Sequence, residues 1–451
     1  MANKRIYLCL AHMSEAGLEQ KFVQEAFDTN WVVPQGPNVT GFEDDLTEYI
    51  GQDSNVVALA SGTAAIHLAL IECGVGLGDE VIAQSFTFCA SSHPITYVGA
   101  KPVFVDSERD SWNMDPELLE VAINDRIAKT GRKPKAIIPV SLYGMPYNVE
   151  RIMEIAAMYD IPVIEDTAEG LGSCWKGRQL GTFGKYGVLS FNGNKMITTS
   201  GGGALICHSL QAKNRIMWYA TQARDSYPYY NHSVIGYNYR MSNICAGIGR
   251  GQMSVLDEHI AHHRHVQKLY EELLAGVEGI TVHRQPGGMF VRNDGSEEPV
   301  YESNYWLCTI TIDPALRVKG QDKVYKEVIK SAVGGAASAL RFVERPTTEC
   351  QPNDNVEALR VFMSDAGIET RPLWKPMHKQ PVYTEKKLEA AVTDEVLPGG
   401  VTCRTYESCV AYVNGVSEEL FKVGMCLPSG PCVSDDDVRY IVETIKAGIE
   451  G

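Results

Sequence analysis

No C-x-x-C pair occurs among the 12 cysteines of this 451-residue sequence, and no stretch approaches the roughly 18–20 apolar residues of a membrane helix. The cysteines are scattered singly, several inside apolar runs. Buried reduced thiols are therefore expected, with no disulfide framework and no zinc site. Positive charge is also short. Against 56 Asp and Glu there are 41 Lys and Arg, a net charge of -15, which disfavours nucleic acid or an anionic membrane surface as a partner. An anionic substrate would need a local basic pocket. The apolar run near the N-terminus is too short for a signal peptide, and a soluble, cytoplasmic protein is expected. There is no internal repeat. What is present is an ordinary globular balance, 44% hydrophobic and 22% charged, with length for two or three domains.

Residues 14–28 read as an amphipathic helix with Ser14 as N-cap and Leu18, Phe22 and Phe27 on the apolar side, followed by a Pro/Gly loop carrying Trp31. From residue 55, short apolar runs at 55–60, 81–84, 102–105, 135–141, 162–165, 187–191 and 203–207 alternate with helical patterns. Runs apolar throughout are the mark of a sheet buried on both faces, so residues 1–255 are expected to hold an N-terminal helix and loop and a mainly parallel α/β domain. Ligands of such sheets bind beyond the carboxyl ends of the strands. After residue 255 a long polar helix, a strand over 305–312 and helices over 355–366 and 435–448 suggest a smaller α+β domain spanning 256–451. The last helix opens with a capping box, Ser434 and Asp437. Stretches 284–302 and 392–416 look like surface insertions.

Several segments could carry chemistry. Ser190-Phe191-Asn192-Gly193-Asn194-Lys195, before Thr198-Thr199-Ser200-Gly201-Gly202-Gly203, puts a lysine in a turn between two apolar runs. Such a lysine is a candidate Schiff-base former if partly desolvated, and an exposed surface lysine otherwise. Ser61-Gly62-Thr63-Ala64-Ala65 lies at a strand-to-helix junction, where free N–H groups favour an anion, or where an ordinary N-cap sits. Ile164-Glu165-Asp166 ends a buried strand with two acids, and alternation turns Asp166 to the side of Ile164. A carboxylate there needs a cationic partner, either a protonated pyridine nitrogen or an arginine. Phe88 can lie flat on a heteroaromatic ring or belong to the core. Gly236-Tyr237-Asn238-Tyr239-Arg240 suits a sugar or phosphate contact, or a subunit interface. His259, His262, His263 and His265 lack further ligands nearby, so a solvated polar helix face is expected rather than a metal.

Taken in order, SGTAA, SFTF, IEDTAE, SFNGNK-x-x-TTSGGG and GYNYRMSN resemble the DegT-type sugar-nucleotide aminotransferases, from about His12 to the end of the chain. Gly367 to Trp374 and Leu427-Pro428-Ser429-Gly430 add to the likeness. The resemblance implies fold type I of the pyridoxal-phosphate enzymes, with a seven-stranded large-domain sheet. It also implies pyridoxal 5'-phosphate as cofactor, pyridoxamine 5'-phosphate as its intermediate form, and no metal. By motif, Lys195 would form the Schiff base, Asp166 would hold the pyridine nitrogen protonated, and Phe88 would stack on the ring. Gly62, Thr63 and Ala64 with Ser190 would hold the phosphate, completed by Asn238 of a neighbouring subunit, which implies a homodimer with shared sites. Glu169 stands where many relatives have Gln or His, TSGGG replaces TGEGG, and Ser141 replaces the usual His before Leu-Tyr-Gly.

The FNGNK turn, Glu169 and the run Ala220 to Arg224 resemble the aminotransferases that aminate C4 of UDP-4-keto-6-deoxy-N-acetylhexosamines for glycan synthesis. The implied donor is glutamate and the implied acceptor a UDP-linked sugar. Candidate contacts to that sugar and its diphosphate are Trp31, Arg224, Arg240 and His378. Amination at C3 and a non-catalytic binding protein are the alternatives, the second disfavoured by the intact set of Lys195, Asp166 and the phosphate loop.

Overall fold

The computed structural model describes residues 5–51, 53–292, 294–324, 350–384 and 393–450. Each of the seven apolar runs forms a strand: β1 Asn55–Leu59, β2 Glu80–Gln84, β3 Lys101–Val105, β4 Ala136–Ile138, β5 Ile164–Asp166, β6 Tyr186–Ser190 and β7 Gly203–Cys207. Their order is β1-β7-β6-β5 and β4-β2-β3, and parallel bridges Ile137–Val163 and Val140–Asp166 join β4 to β5 in one sheet. Only β7 runs against its neighbours β1 and β6. Alternate residues supply two different cores. Val56 and Ala58 pack with Phe42, Leu189 and Phe191, whereas Val57 and Leu59 pack with Leu68, Val188 and Leu205. Burial on both faces explains why these runs are apolar throughout.

The stretch 392–416 departs from the expectation of a surface insertion in the smaller domain. Residue 392 lies outside the described residues, but Thr393–Val396, Thr402–Thr405 and Val410–Val413 form three further strands on the large sheet. Val410–Val413 pairs in parallel with β3, and its four residues are all buried. The Tyr412 hydroxyl donates to Asp125 on the helix Pro116–Thr130. In the stretch 284–302, Met289–Val291 and Glu297–Pro299 form a hairpin whose residues are exposed or partly buried.

A second, antiparallel sheet is made of Ile280–Val282, Cys308–Ile312, Gly424–Leu427 and Arg371–Pro372. Helices Leu256–Leu273, Asp354–Asp365 and Asp435–Gly448 cover it around Tyr270, Ile310, Leu359 and Ile441. The expected capping box at Ser434 and Asp437 is present. The strand begins at Cys308 rather than 305, because Tyr305 turns with φ of 50°.

Two other expectations change. The first helix starts at Leu18, after Gly17 with φ of 64°, and Ser14, outside the helix, accepts the Leu18 N–H at 3.1 Å and donates to the buried Glu19 carboxylate at 2.6 Å. Its buried face is Glu19 and Ala26 while Phe27 is exposed, because the helix is pressed onto Asn243–Met253. A Cβ on Gly251 would stand 2.5 Å from the Glu19 nitrogen, so that approach sets the face. The histidine tract is a solvated face only at His265, which is exposed and 2.8 Å from Asp435. His259 and His263 are buried, with Nδ1 atoms against the carbonyls of Met196 (3.1 Å) and Tyr305 (3.2 Å). Burial holds His263 down to about 3, so it is neutral.

Candidate active site

The carboxyl ends of β1, β2, β5 and β6 open on one cavity of about 260 Å3. Its anionic corner comes from the start of the helix Gly62–Glu72. The N-cap Ser61 accepts the Ala64 N–H through Oγ at 3.1 Å, which leaves the Gly62 and Thr63 N–H groups without an intrahelical acceptor. Ser190, at the end of β6, packs beside them, 3.3 Å from where a Cβ on Gly62 would be. Gly203 makes this meeting possible. A Cβ there would lie 2.3 Å from the Gly62 nitrogen, so no side chain fits between β7 and the helix start. Ala64 was expected in the same cradle, but its N–H is already taken by Ser61 and it does not line the cavity.

Asp166 reaches the cavity at the end of β5 and is buried. Its Oδ2 accepts the Ser91 hydroxyl at 2.6 Å and its Oδ1 the Ala168 N–H at 3.2 Å, while Ser91 is itself 2.7 Å from Thr87 Oγ1. Burial pushes the carboxyl above its ordinary range, opposed by the Ser91 and Ala168 hydrogen bonds and the charge of Lys195. No cation stands within ion-pair distance of it among the described residues. The adjacent Glu165 leaves the other face of the strand and is fully satisfied, accepting from Tyr147 Oη and from the N–H groups of Gly181, Phe183 and Gly184.

Lys195 sits in a tight turn, its N–H on the Asn192 carbonyl at 2.9 Å. Its Nζ lies 3.3 Å from Glu169 Oε1 and 4.1 Å from the ring centre of Trp306. Glu169 is held on its other oxygen by the Tyr143 N–H at 2.7 Å. Burial raises the Glu169 carboxyl, and the Lys195 charge and the Tyr143 N–H act against that rise. Phe88 lines the mouth, 54% exposed, with its ring 6.2 Å from that of Trp374. An amine, a buried carboxylate without a cationic partner among the described residues, a helix start with two N–H groups lacking an intrahelical acceptor and an aromatic wall are thus brought together.

The remaining candidates lie elsewhere. Arg240 is committed to Glu43 and donates to the Ala58 carbonyl at 3.0 Å, which places it along the outer edge of β1. His378 is wholly buried between Ser85 Oγ (2.6 Å) and Glu418 (3.1 Å). Arg224 lies over the Tyr230 ring in an exposed loop, and Trp31 is half-exposed with its carbonyl on Asn243. Asn238 is exposed and bridges to Thr221, outside the cavity of its own chain. Sequence reasoning missed Ser91, Trp306 and Trp374. Ser91 follows Phe88 at the helical distance of three residues, a weak signal. Trp306 lies in the run Trp306-Leu307-Cys308, which reads as core.

The model of the DegT/DnrJ/EryC1/StrS aminotransferase family matches residues 14–338. EpsN of Bacillus subtilis (strain 168), named a pyridoxal phosphate-dependent aminotransferase, is 39% identical over 443 residues, 98% of this chain and 95% of its own. GDP-perosamine synthase of Escherichia coli O157:H7 is 31% identical over 440 residues, 98% of each chain. A crystal structure of a DegT DnrJ EryC1 StrS aminotransferase from Brucella abortus superposes with a TM-score of 0.74 at 26% identity, covering 96% of this chain and 95% of that one.

Proposed function

This chain belongs to the DegT/DnrJ/EryC1/StrS aminotransferase family, and we propose that it transfers the amino group of glutamate to C4 of a UDP-linked 4-keto-6-deoxy-N-acetylhexosamine. It is a pyridoxal-phosphate-dependent sugar aminotransferase. The observation that carries the aminotransferase reading is the convergence of Lys195, Asp166 and the Gly62–Thr63 corner on one cavity. The FNGNK turn, Glu169 and the run Ala220 to Arg224 support the choice of acceptor.

The residues present fit the cofactor. Asp166 is a buried carboxylate facing the cavity with only neutral donors, which suits a protonated ring nitrogen. Gly62, Thr63 and Ser190 offer donors to a phosphate at a helix N-terminus. When bound, the cofactor supplies an aldehyde that captures amines and a ring that withdraws electrons from the carbon losing its proton. Lys195 Nζ would take the proton from Cα of the amino donor and deliver it to the carbon that bore the aldehyde, and in the second half-reaction it would carry a proton the other way, to C4 of the sugar. Glu169 keeps the resulting ammonium beside the cavity. Phe88 covers one side of the cavity and limits water. Asn238 reaches the phosphate corner from a second copy of the chain, so the working unit is a homodimer. Exposed Tyr230 and Ile235 in the same loop support that arrangement.

A relative named GDP-perosamine synthase spans nearly the whole chain and favours a second reading, a GDP-linked acceptor. One experiment addresses both. Glutamate is added to the protein loaded with pyridoxal phosphate, followed separately by the UDP-linked and GDP-linked keto sugars. Bleaching of the cofactor absorbance by glutamate and its return only with the UDP sugar supports the proposal. Return only with the GDP sugar selects the second reading, and no bleaching removes both.

A further inference from the structure

The geometry points to Trp306 as a positioning residue for Lys195, an inference that rests on Lys195 being the amine that captures the cofactor. The Lys195 ammonium lies between two fixed groups, Glu169 Oε1 at 3.3 Å and the face of Trp306 at 4.1 Å. An indole face attracts a cation most strongly when water is kept away, and Trp306 is 1% exposed.

The ring has no freedom to tilt. Its Nε1 donates to the Asn194 carbonyl at 2.6 Å, the residue immediately before the lysine. Its backbone N–H is on Asn304 Oδ1 at 2.8 Å and its carbonyl accepts the Ser429 hydroxyl at 2.8 Å. Asn304 in turn donates to the carbonyls of Glu169 and Leu171, both at 2.9 Å. A Cβ on Gly144 would stand 1.8 Å from Asn304 Oδ1, so the chain beneath is shaped to admit this contact. The segment 304–306 therefore clasps the lysine turn through the indole and the acid turn through the asparagine. A core tryptophan needs none of this. The carbonyl it engages belongs to the lysine turn, and the cation on its face is the amine itself.

The test uses full-length protein stripped of cofactor, titrated with pyridoxal phosphate, which engages the lysine, and with pyridoxamine phosphate, which does not. W306L is expected to weaken capture of pyridoxal phosphate about tenfold, because Lys195 is no longer held facing the cavity, and to leave pyridoxamine phosphate binding within about twofold. W306F keeps a ring face and is expected to recover most of the difference, and W306M, which keeps bulk without a ring, carries the test if W306L does not fold. Equal weakening of both ligands, or no change in either, overturns the positioning role. In a separate arm, Lys195→Ala should abolish the preference for pyridoxal phosphate. If it does not, the reading of Lys195 fails, independently of Trp306.

Discussion

Glu165 and Asp166, neighbours in sequence, point to opposite sides of β5: Glu165 is enclosed by four donors, whereas Asp166 faces the cavity with one hydroxyl and one amide. The two acids should respond differently to loss of charge. Asp166→Asn removes the charge and turns one acceptor oxygen into a donor that the Ser91 hydroxyl can accept by reversing, so turnover should fall about 100- to 1,000-fold with little loss of stability. Glu165→Gln presents an amide to backbone N–H groups and should cost about 1–3 kcal/mol in denaturant unfolding, with turnover per folded molecule unchanged.

Lys195→Ala removes the amine that moves the proton. Steady-state turnover with glutamate and the keto sugar should fall by about three orders of magnitude or more. Addition of a small primary amine should restore part of it.

The buried carboxyls make stability depend on pH in a defined direction. Burial raises Glu165, Asp166 and Glu169 above the ordinary range, so between that range and their raised values the folded chain binds more protons than the unfolded one. Stability without cofactor should therefore rise as pH is lowered through that window and fall as pH rises through it. Glu169→Gln should flatten this slope in unfolding measurements at several pH values. An unchanged slope would count against Glu169 as one of its sources.

Two glycines near the lysine should behave in opposite ways. Gly203→Ala forces a Cβ against the backbone of Ser61 and Gly62, so it should destabilise by about 1–3 kcal/mol and weaken pyridoxal phosphate binding. Gly193→Ala meets nothing within 4 Å and should change stability by no more than about 0.5 kcal/mol. Calorimetry and cofactor titration of the pair check this.

Arg240→Met should act on stability, not on the KM for the sugar. It leaves the buried Glu43 with Lys213, 3.6 Å away, as its remaining cation, which should cost about 1–3 kcal/mol. A selective rise in KM would return Arg240 to the list of substrate contacts.

The large sheet was legible because its strands are apolar on both faces, a pattern that needs no partner to be read. The β5 acids were legible because alternation fixes which side each takes. The strands at 393–413 were not, since only Cys409 to Val413 is a buried apolar run and its partner, β3, lies some 300 residues earlier. Arg240 and His378 look like free polar contacts in sequence, and only tertiary packing reveals the carboxylates that claim them. Trp306 was hidden for the converse reason, since a tryptophan in an apolar run reads as core whether or not an amine rests on it.

The added strands have a consequence for how the protein behaves in crowded solution. A sheet rim with a free row of amides invites pairing with other chains. Among the described residues the outer rim is Thr393–Val396, a short strand whose Asp394 and Glu395 are tied to Arg404 and Lys129. At the opposite rim, Glu43 takes the Ala58 N–H and Arg240 the Ala58 carbonyl, so side chains occupy the groups that another strand would seek. Both margins are guarded by charge, and the sheet is a poor template for self-association through its edges.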